Sequence, residues 1–301
     1  YKRQARANGW AISALSPTYI VRPVLILLFM LVAIALGAEK TATTAMLTAL
    51  LATYVTTIFH FVFLNRRLNR HFRSAARRVH FRHWIRFAFP VFLIDGIGFL
   101  MTNSDVVIVG LYLPPDQVGI YFAAAKTIVL MQFVFFSVQA AAAPRLAALI
   151  SANDRPGLAS FASQAARWAF WPSLAVGSVV LLAGPFLLSL FGPGFVEGYE
   201  LMFFLFAGFL AKALIGPGET LLNMAGKQKL CVMLYIIIFG CNIALNMALI
   251  PVYGLTGAAA AVAIAMSIEA VLLHVAIRRT LGIVLFAFND PRASQNTGKA
   301  V

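Results

Sequence analysis

Charged residues are scarce in this sequence, and acidic residues are the scarcest. Only 11% of the 301 residues are charged, with 10 Asp and Glu against 24 Lys and Arg, while 61% are hydrophobic. A soluble domain carries about 25% charged residues, so this chain lacks the polar surface that a water-soluble globule needs. Disordered chains contain few aromatic residues, whereas this sequence has 26 Phe. The composition excludes an ordinary soluble enzyme and indicates a membrane protein with several spans.

Cysteines and catalytic motifs are also nearly missing. The two cysteines, Cys231 and Cys241, lie in one apolar run, and the sequence contains no CxxC pair. Disulfides, metal sites and bound cofactors are therefore not expected. The sequence also has no GxSxG, HExxH or P-loop motif. We therefore predict that the protein is not an enzyme.

Long apolar runs occupy most of the chain. Each run is about 20 residues long, which is enough to cross about 30 Å of hydrocarbon as a helix. The runs do not alternate between apolar and polar residues, as strands of a membrane barrel would. We predict eight transmembrane helices, at 17–36, 41–64, 87–112, 118–143, 169–191, 199–223, 230–250 and 255–276.

Positive charge is concentrated in alternate loops. The loops on one side and the two chain ends carry 20 Lys and Arg against two acids, Asp154 and Asp290. The opposite loops and their edges carry Lys40 against four acids. Cytoplasmic loops of membrane proteins are enriched in Lys and Arg. The alternation agrees with an even number of spans and predicts that both ends of this chain are cytoplasmic.

A basic linker divides the chain. Residues 65–86 hold eight Arg and three His, and they separate two spans in 1–64 from six spans in 87–280, after which 281–301 form a polar tail. We interpret the linker as a topology determinant, with contacts to anionic headgroups or to diphosphates at the cytoplasmic mouth as alternatives. No nucleic-acid-binding fold accompanies this charge, so nucleic acid is not an expected partner. Residues 145–167 are expected to form short interfacial helices.

Seven Asp, Glu, Lys and Arg residues fall within the predicted spans, apart from Glu200 at the outer edge of one span. Each costs about 2.5–3.5 kcal/mol at the centre of a membrane helix, so most of them must pair or face a wet cavity. Asn103, beside one of the acids, also favours a polar pocket. The candidate substrate- or ion-binding residues are therefore Arg22, Asp95, Asn103, Asp105, Lys126, Lys212, Glu219 and Glu269.

Two interpretations of these residues stay open. In the first, they line a hydrophilic cavity that receives an anionic or polar substrate or relays an ion. In the second, pairs such as Asp105 and Lys126, which lie at similar depth in neighbouring antiparallel helices, only lock helices together. Arg22, near a membrane end, is also placed to extend its side chain to the headgroups. The segment IGPGE (215–219) is expected to loosen a helix beside Glu219.

Two asparagines add to the polar content of the predicted seventh span of this chain. Asn242 and Asn246 are spaced i, i+4, so they share one helix face. They either line the cavity or form hydrogen bonds between helices.

Three stretches resemble one transporter family. They are NSDVVIVGLYLPPDQVGIYFAAAK (103–126), LLNMAGKQKL (221–230) and NIALNMALIPVYGLTGAAAAVAIA (242–265). In that order they are similar to a helical hairpin, an inter-helix turn and the last hairpin of the polysaccharide-unit flippases. These flippases belong to the MATE-like multidrug/oligosaccharidyl-lipid/polysaccharide exporter superfamily. The resemblance covers about residues 1–280.

The resemblance implies a fold and a function. The fold would be all-α, with the last two helices of an N-terminal lobe in 1–64 and a complete six-helix C-terminal lobe in 87–280, so that the chain is expected to be a C-terminal fragment. The function would be a flippase of the bacterial inner membrane. It would move lipid-diphosphate-linked sugar units for surface polysaccharide or lipopolysaccharide synthesis by alternating access, among membrane lipids.

The resemblance also implies roles for the candidate residues. The cations Lys126, Lys212 and Arg22 would attract the diphosphate or acidic sugars. The acids Asp95, Asp105, Glu219 and Glu269 would balance charge or bind a coupling ion, Na+ or H+. The alternatives are a cation-coupled multidrug antiporter of the same superfamily, a membrane-embedded glycosyl- or acyltransferase, and a purely structural membrane partner.

Overall fold

The chain folds into helices and turns. The computed structural model describes residues 16–71, 85 and 103–288, which contain no strand. Five helical stretches there are long and apolar enough to span a membrane, and Arg22–Ala35 is a shorter apolar helix. The five are Ala42–Phe63, Pro115–Ser151, Arg155–Leu182, Pro193–Met224 and Gln228–Leu281. The predicted all-α, multi-pass membrane fold is confirmed.

The chain divides into two units, Tyr1–Ile85 and Arg86–Val301. In the first unit, a π-helical turn at Pro17–Val21 leads into helix α1 (Arg22–Ala35), and α2 (Ala42–His71) follows. Thus α2 extends beyond the predicted end of its span at 64 into the basic linker, while residues 72–84 of the linker lie outside the described residues.

One face of α2 packs on α1. Its buried residues recur at i, i+4 spacing: Thr48, Ala52, Thr56 and His60. The Thr48 hydroxyl lies 3.9 Å from the sulfur of Met30 in α1, so this face points to the partner helix. Apolar side chains on the other faces of the two helices, such as Leu27 of α1 and Ile58 of α2, are exposed, as lipid-facing residues would be.

The second unit contains the remaining helices. Helix α3 covers residues 103–112, and the earlier part of its predicted span, 87–102, lies outside the described residues. The following helices are α4 (Pro115–Ile128), α5 (Gln132–Ser151), α6 (Arg155–Leu182), α7 (Gly184–Ser189), α8 (Tyr199–Ile215), α9 (Gly218–Met224) and α10 (Gln228–Leu281). A single 3-10 turn, Val129–Met131, joins α4 to α5 into one continuous stretch.

Helix α10 is a hairpin of two helices. Residues 34 positions apart in one straight helix would be about 51 Å apart. Yet the Tyr235 hydroxyl lies 3.0 Å from Glu269 Oε1, so the two arms must run back along each other. The reversal is at Gly254, whose φ of 57° is a left-handed conformation that glycine adopts without strain. The turn predicted at 251–254 and the two spans on either side of it are therefore present.

A tight turn replaces the interfacial helices expected at 145–167. Helix α5 continues to Ser151 and α6 already begins at Arg155, so both spans are longer than predicted. The Asp154 carboxylate accepts a hydrogen bond of 2.9 Å from the Gly157 backbone N–H and caps α6. The sequence-based expectation failed because the Pro156-Gly157 pair lies in the first turn of a helix, where proline is tolerated.

The segment after α10 packs back on the second unit. Ile283, Leu285 and Ala287 are buried, and the Ala287 backbone N–H donates to the Leu214 carbonyl oxygen at 2.9 Å. The first residues of the region expected to be a polar tail therefore belong to the packed structure. Residues 289–301 lie outside the described residues.

Two apolar cores stabilise the second unit at different levels of the bundle. One includes Leu146, Ala213, Leu222 and Leu273, and the other includes Val109, Tyr121, Met202 and Ala259. Helices α8 and α10 contribute to both cores, at different positions along their length. In α8 and α10, the polar side chains lie between these positions.

Candidate transport cavity

A cavity of about 370 Å³ lies between the two cores of the second unit. Helices α3, α4, α5, α8 and both arms of α10 line it. Four of the ionisable residues predicted from the sequence meet there: Asp105, Lys126, Lys212 and Glu269. Uncharged polar groups join them, namely Ser104, Gln132, Tyr235 and Asn242. The rest of the wall is mainly apolar.

Asp105 and Lys126 line the same cavity but do not form an ion pair. The Tyr121 hydroxyl of α4 donates to Asp105 Oδ2 at 2.9 Å. The other carboxylate oxygen, Oδ1, is buried and has no hydrogen-bond partner within the described part of the chain. The Lys126 ammonium lies 5.1 Å from the centre of the Phe122 ring. The predicted pairing is thus replaced by a tyrosine contact for the acid and an aromatic contact for the lysine.

Lys212 and Glu269 form the ion pair of the cavity. Lys212 Nζ lies 2.7 Å from Glu269 Oε1, and their side chains are 23% and 7% exposed. The pair joins α8 to the second arm of α10. Both residues were candidates from the sequence, and the structure brings them into direct contact.

Tyr235 connects this ion pair to Glu219. Its hydroxyl lies 2.7 Å from Glu219 Oε2 and 3.0 Å from Glu269 Oε1. Glu219 is half-buried in the first turn of α9. The contacts form a continuous chain of polar groups across three helices: Lys212, Glu269, Tyr235 and Glu219.

The break before Glu219 is where the sequence predicted it. Helix α8 ends at Ile215 and α9 begins at Gly218. Gly216 has a φ of 59°, and a Cβ added there would lie 2.5 Å from Ala166 Cα in α6. Only glycine fits both the backbone conformation and this close approach. The break turns Glu219 toward Tyr235 instead of continuing α8 in a straight line.

The other predicted residues have different surroundings. Arg22 begins α1 in the first unit and is exposed, and Asp95 lies outside the described residues. Asn103 is half-buried, but it is not among the residues that line the cavity. Asn242 lines the cavity, whereas the Asn246 amide donates to the carbonyl and side-chain oxygens of Asn242 in its own helix.

The sequence-based reasoning missed the two tyrosines. Tyr121 and Tyr235 both lie inside predicted spans, where a hydroxyl needs a hydrogen-bond partner. This requirement could have indicated that both tyrosines make polar contacts, although it does not identify the partner. Among the described residues, no group of three or more His, Cys, Asp and Glu is arranged to hold a metal ion.

Two family models match this chain. The model described as "Polysaccharide biosynthesis protein" matches residues 12–150. The MatE model matches residues 90–248, which is more than half of the chain. No curated protein matches.

One solved structure has a similar fold along most of the chain. It is titled "Reverse polarity of binding pocket suggests different function of a MOP superfamily transporter from Pyrococcus furiosus Vc1 (DSM3638)". The TM-score is 0.58 at 16% identity, and the match covers 93% of this chain. The chain spans 65% of the length of that structure. At this identity the match supports the fold and nothing finer.

The bundle of apolar helices with a polar cavity defines a class of protein, the multi-pass membrane proteins. Both family models and the similar structure agree with that class. Within it, the chain belongs to the MatE family. The predicted MATE-like superfamily and its link to polysaccharide biosynthesis are confirmed at the level of the family.

Proposed function

We propose that this protein is a flippase that moves lipid-linked oligosaccharide units across the inner membrane of a bacterium for surface polysaccharide synthesis. Transport would proceed by alternating access, with both ends of this chain in the cytoplasm. The distribution of Lys and Arg over the loops supports that orientation. The match of residues 12–150 to the polysaccharide biosynthesis model supports the substrate class.

Lys126 is the observation that carries the proposal. Of the two cavity lysines, Lys212 is neutralised by Glu269, whereas Lys126 has no ion pair within the described residues. A cation at a water-accessible wall in an otherwise apolar bundle is a suitable partner for a diphosphate, because a phosphate oxygen accepts charge-assisted hydrogen bonds. We therefore assign Lys126 to the diphosphate of the substrate.

Substitution of Lys126 tests this assignment. A hydrogen bond to a charged group is worth about 1.5–3 kcal/mol, which corresponds to roughly a 10- to 100-fold change in affinity. Lys126→Met in the native protein should weaken binding of a polyprenyl diphosphate by this factor. In proteoliposomes, flipping of a fluorescent polyprenyl-diphosphate sugar should slow in parallel. Dithionite quenching of the outer leaflet measures that rate.

Lys229→Met is the matched control, because this lysine is exposed in the first turn of α10, away from the cavity wall. It should flip the lipid at the wild-type rate. Equal rates for Lys126→Met and the wild type would refute the role of Lys126. Loss of flipping in the Lys229 variant alone would place the important charge at the membrane surface and not in the cavity.

A second candidate function is a cation-coupled multidrug antiporter. The MatE match and the buried Asp105 Oδ1, which has no hydrogen-bond partner among the described residues, favour it. An organic cation would then neutralise Asp105. Deletion of the gene would sensitise cells to cationic drugs and leave the surface polysaccharide intact, whereas a flippase deletion would give the opposite result.

A further inference from the structure

The exposed residues of helix α6 change from polar to apolar at one point. Its 28 residues make it about 42 Å long, so it is long enough to extend out of about 30 Å of hydrocarbon. Up to Arg167 its exposed residues are polar except for Pro156, whereas from Trp168 onwards its exposed residues are all apolar. This change indicates that the hydrocarbon of the membrane begins between Arg167 and Trp168.

Helix α10 reaches this boundary at the same level of the bundle. Its second arm exposes the apolar side chain of Val275 and, one turn later, the charged side chain of Arg278. The break at 216–218 packs against Ala166 of α6 and against Ile277 of α10. Each of these two residues immediately precedes an arginine at the change from apolar to polar. The two helices therefore agree on where the hydrocarbon ends.

Exposed aromatic rings lie together at this boundary. Trp171 of α6 and Phe288 of the segment after α10 have ring centres 6.0 Å apart, and their side chains are 54% and 58% exposed. Phe286 is 5.7 Å from Phe288, and Trp168 lies one turn before Trp171 on α6. Tryptophan is enriched where the acyl chains of a membrane meet the headgroups. These rings therefore suit the border between hydrocarbon and headgroups.

Two exposed arginines border the tryptophans on the polar side of the boundary. Arg167 lies one turn before Trp171 on the same face of α6. The Arg145 guanidinium of α5 is 4.6 Å from the centre of the Phe161 ring, which is 6.3 Å from the Trp168 ring. Stacking uses the face of a guanidinium and leaves the N–H groups at its edge able to donate. Neither arginine forms an ion pair with a described residue, so both positive charges are uncompensated there.

We propose that this surface, the aromatic–arginine patch, binds an anionic phospholipid. The patch consists of Arg145, Arg167, Trp168, Trp171, Phe286 and Phe288. The arginines donate to the phosphate of the headgroup, and the rings contact the glycerol and the first part of the acyl chains. A headgroup with a net negative charge is preferred to a zwitterionic one, because it brings no cation of its own to the two arginines. The site does not depend on the proposed function, since it requires only that α6 spans a membrane.

Quenching of tryptophan fluorescence by brominated lipids tests the site. With Trp10 and Trp84 replaced by Phe, only Trp168 and Trp171 remain of the four tryptophans in this chain. The protein is reconstituted in vesicles of phosphatidylglycerol and phosphatidylcholine, with bromine on the acyl chains of one lipid at a time. A basic residue near the surface should favour the anionic lipid about 5-fold. Brominated phosphatidylglycerol should therefore quench more strongly than brominated phosphatidylcholine at the same mole fraction.

Substitutions of single arginines locate the headgroup. Arg167→Gln and Arg145→Gln should each lower the preference for phosphatidylglycerol about 5-fold, whereas Arg167→Lys should keep most of it because the charge remains. Arg155→Gln is the matched control. Arg155 is also an exposed arginine of α6, but it lies 12 residues before Arg167, which is about 18 Å along the helix. Its substitution should leave the preference unchanged.

Three outcomes would overturn the proposal. One is equal quenching by the two brominated lipids before any arginine is changed. Another is a loss of preference in Arg155→Gln as large as in Arg167→Gln, which would show a diffuse attraction to basic residues instead of a site. The third is no quenching by either lipid together with a dimer in mass photometry, which would show that a second copy of the chain covers the patch. No transported lipid is used, so a negative result for the Lys126 assignment leaves this test intact.

Discussion

Glu269→Gln is the most informative perturbation of the cavity. The amide keeps the size of the side chain and can still accept the hydrogen bond from Tyr235, so the change removes little except the charge. In the variant, the Lys212 ammonium, which is 23% exposed, loses the negative charge that lies 2.7 Å away in the native protein. The stability change therefore measures what the ion pair contributes to holding α8 against α10.

The magnitude follows from two opposing effects. At 2.7 Å and an effective dielectric constant of about 20, the attraction between two unit charges is about 6 kcal/mol. The desolvation of both ions offsets most of it, so the net contribution of an intact buried pair is small. Removal of one partner from such a pair costs about 3–5 kcal/mol. Because Lys212 retains some access to water in the cavity, we expect about 3 kcal/mol for Glu269→Gln.

A double-mutant cycle separates the pair from the single residues. Equilibrium unfolding by SDS titration from mixed micelles should give similar losses for Glu269→Gln and Lys212→Met, and the double variant should lose less than their sum by about 2 kcal/mol or more. Lys126→Met, at a cavity lysine without an ion pair among the described residues, is the control and should cost less than about 1 kcal/mol. Strictly additive losses would refute the reasoning, because they would show that the two charges do not interact.

Two further predictions concern the break after α8 and the wetness of the cavity. Gly216→Ala should lower the free energy of unfolding by about 3 kcal/mol in the same titration, because the new side chain would be strained at a positive φ and would also clash with Ala166. Gly226 also has a positive φ but lies in open space, so Gly226→Ala should lower it by only about 1–2 kcal/mol. Equal losses would show that the close approach to α6 is unimportant. In a variant whose two native cysteines are replaced by alanine, Asn242→Cys at the cavity wall should react faster with a charged, water-soluble thiol reagent than Val271→Cys on the exposed apolar surface. Equal reactivity would contradict a hydrated cavity.

The sequence was sufficient for the architecture because hydrophobic length and loop charge act over whole segments. Twenty apolar residues and a Gly- or Pro-containing turn predict a span and its end, even where single residues are uninformative. The hairpin reversal at Gly254 lies between the predicted spans 230–250 and 255–276, and the break at Gly216 was predicted from the segment IGPGE (215–219). The exception was the turn before α6, where Pro156 lies within the first helical turn.

Side-chain partners were harder to predict because depth along a helix does not specify rotation about its axis. Asp105 and Lys126 were placed at similar depth, and both do line the cavity, yet Asp105 is bonded to Tyr121 and not to the lysine. A rotation of 100° per residue separates neighbours on a helix, so a small difference in packing selects another partner. The Glu219–Tyr235 contact depends, in addition, on the change of direction between α8 and α9.

The position of the cavity between two apolar cores explains how its polar contacts keep their geometry. Helix α8 is packed through Met202 on one side of Lys212 and through Ala213 beside it, and α10 is packed through Ala259 and Leu273 on either side of Glu269. Both helices are therefore anchored along their length, so the ammonium and the carboxylate stay within hydrogen-bonding distance without support from loops. Arg22 has no such surroundings within its own unit and is exposed at the start of α1. The free-energy cost of a charged side chain in a membrane helix is therefore reduced in two ways. In the second unit the charge is buried with a partner, and in the first unit it is exposed at a helix end.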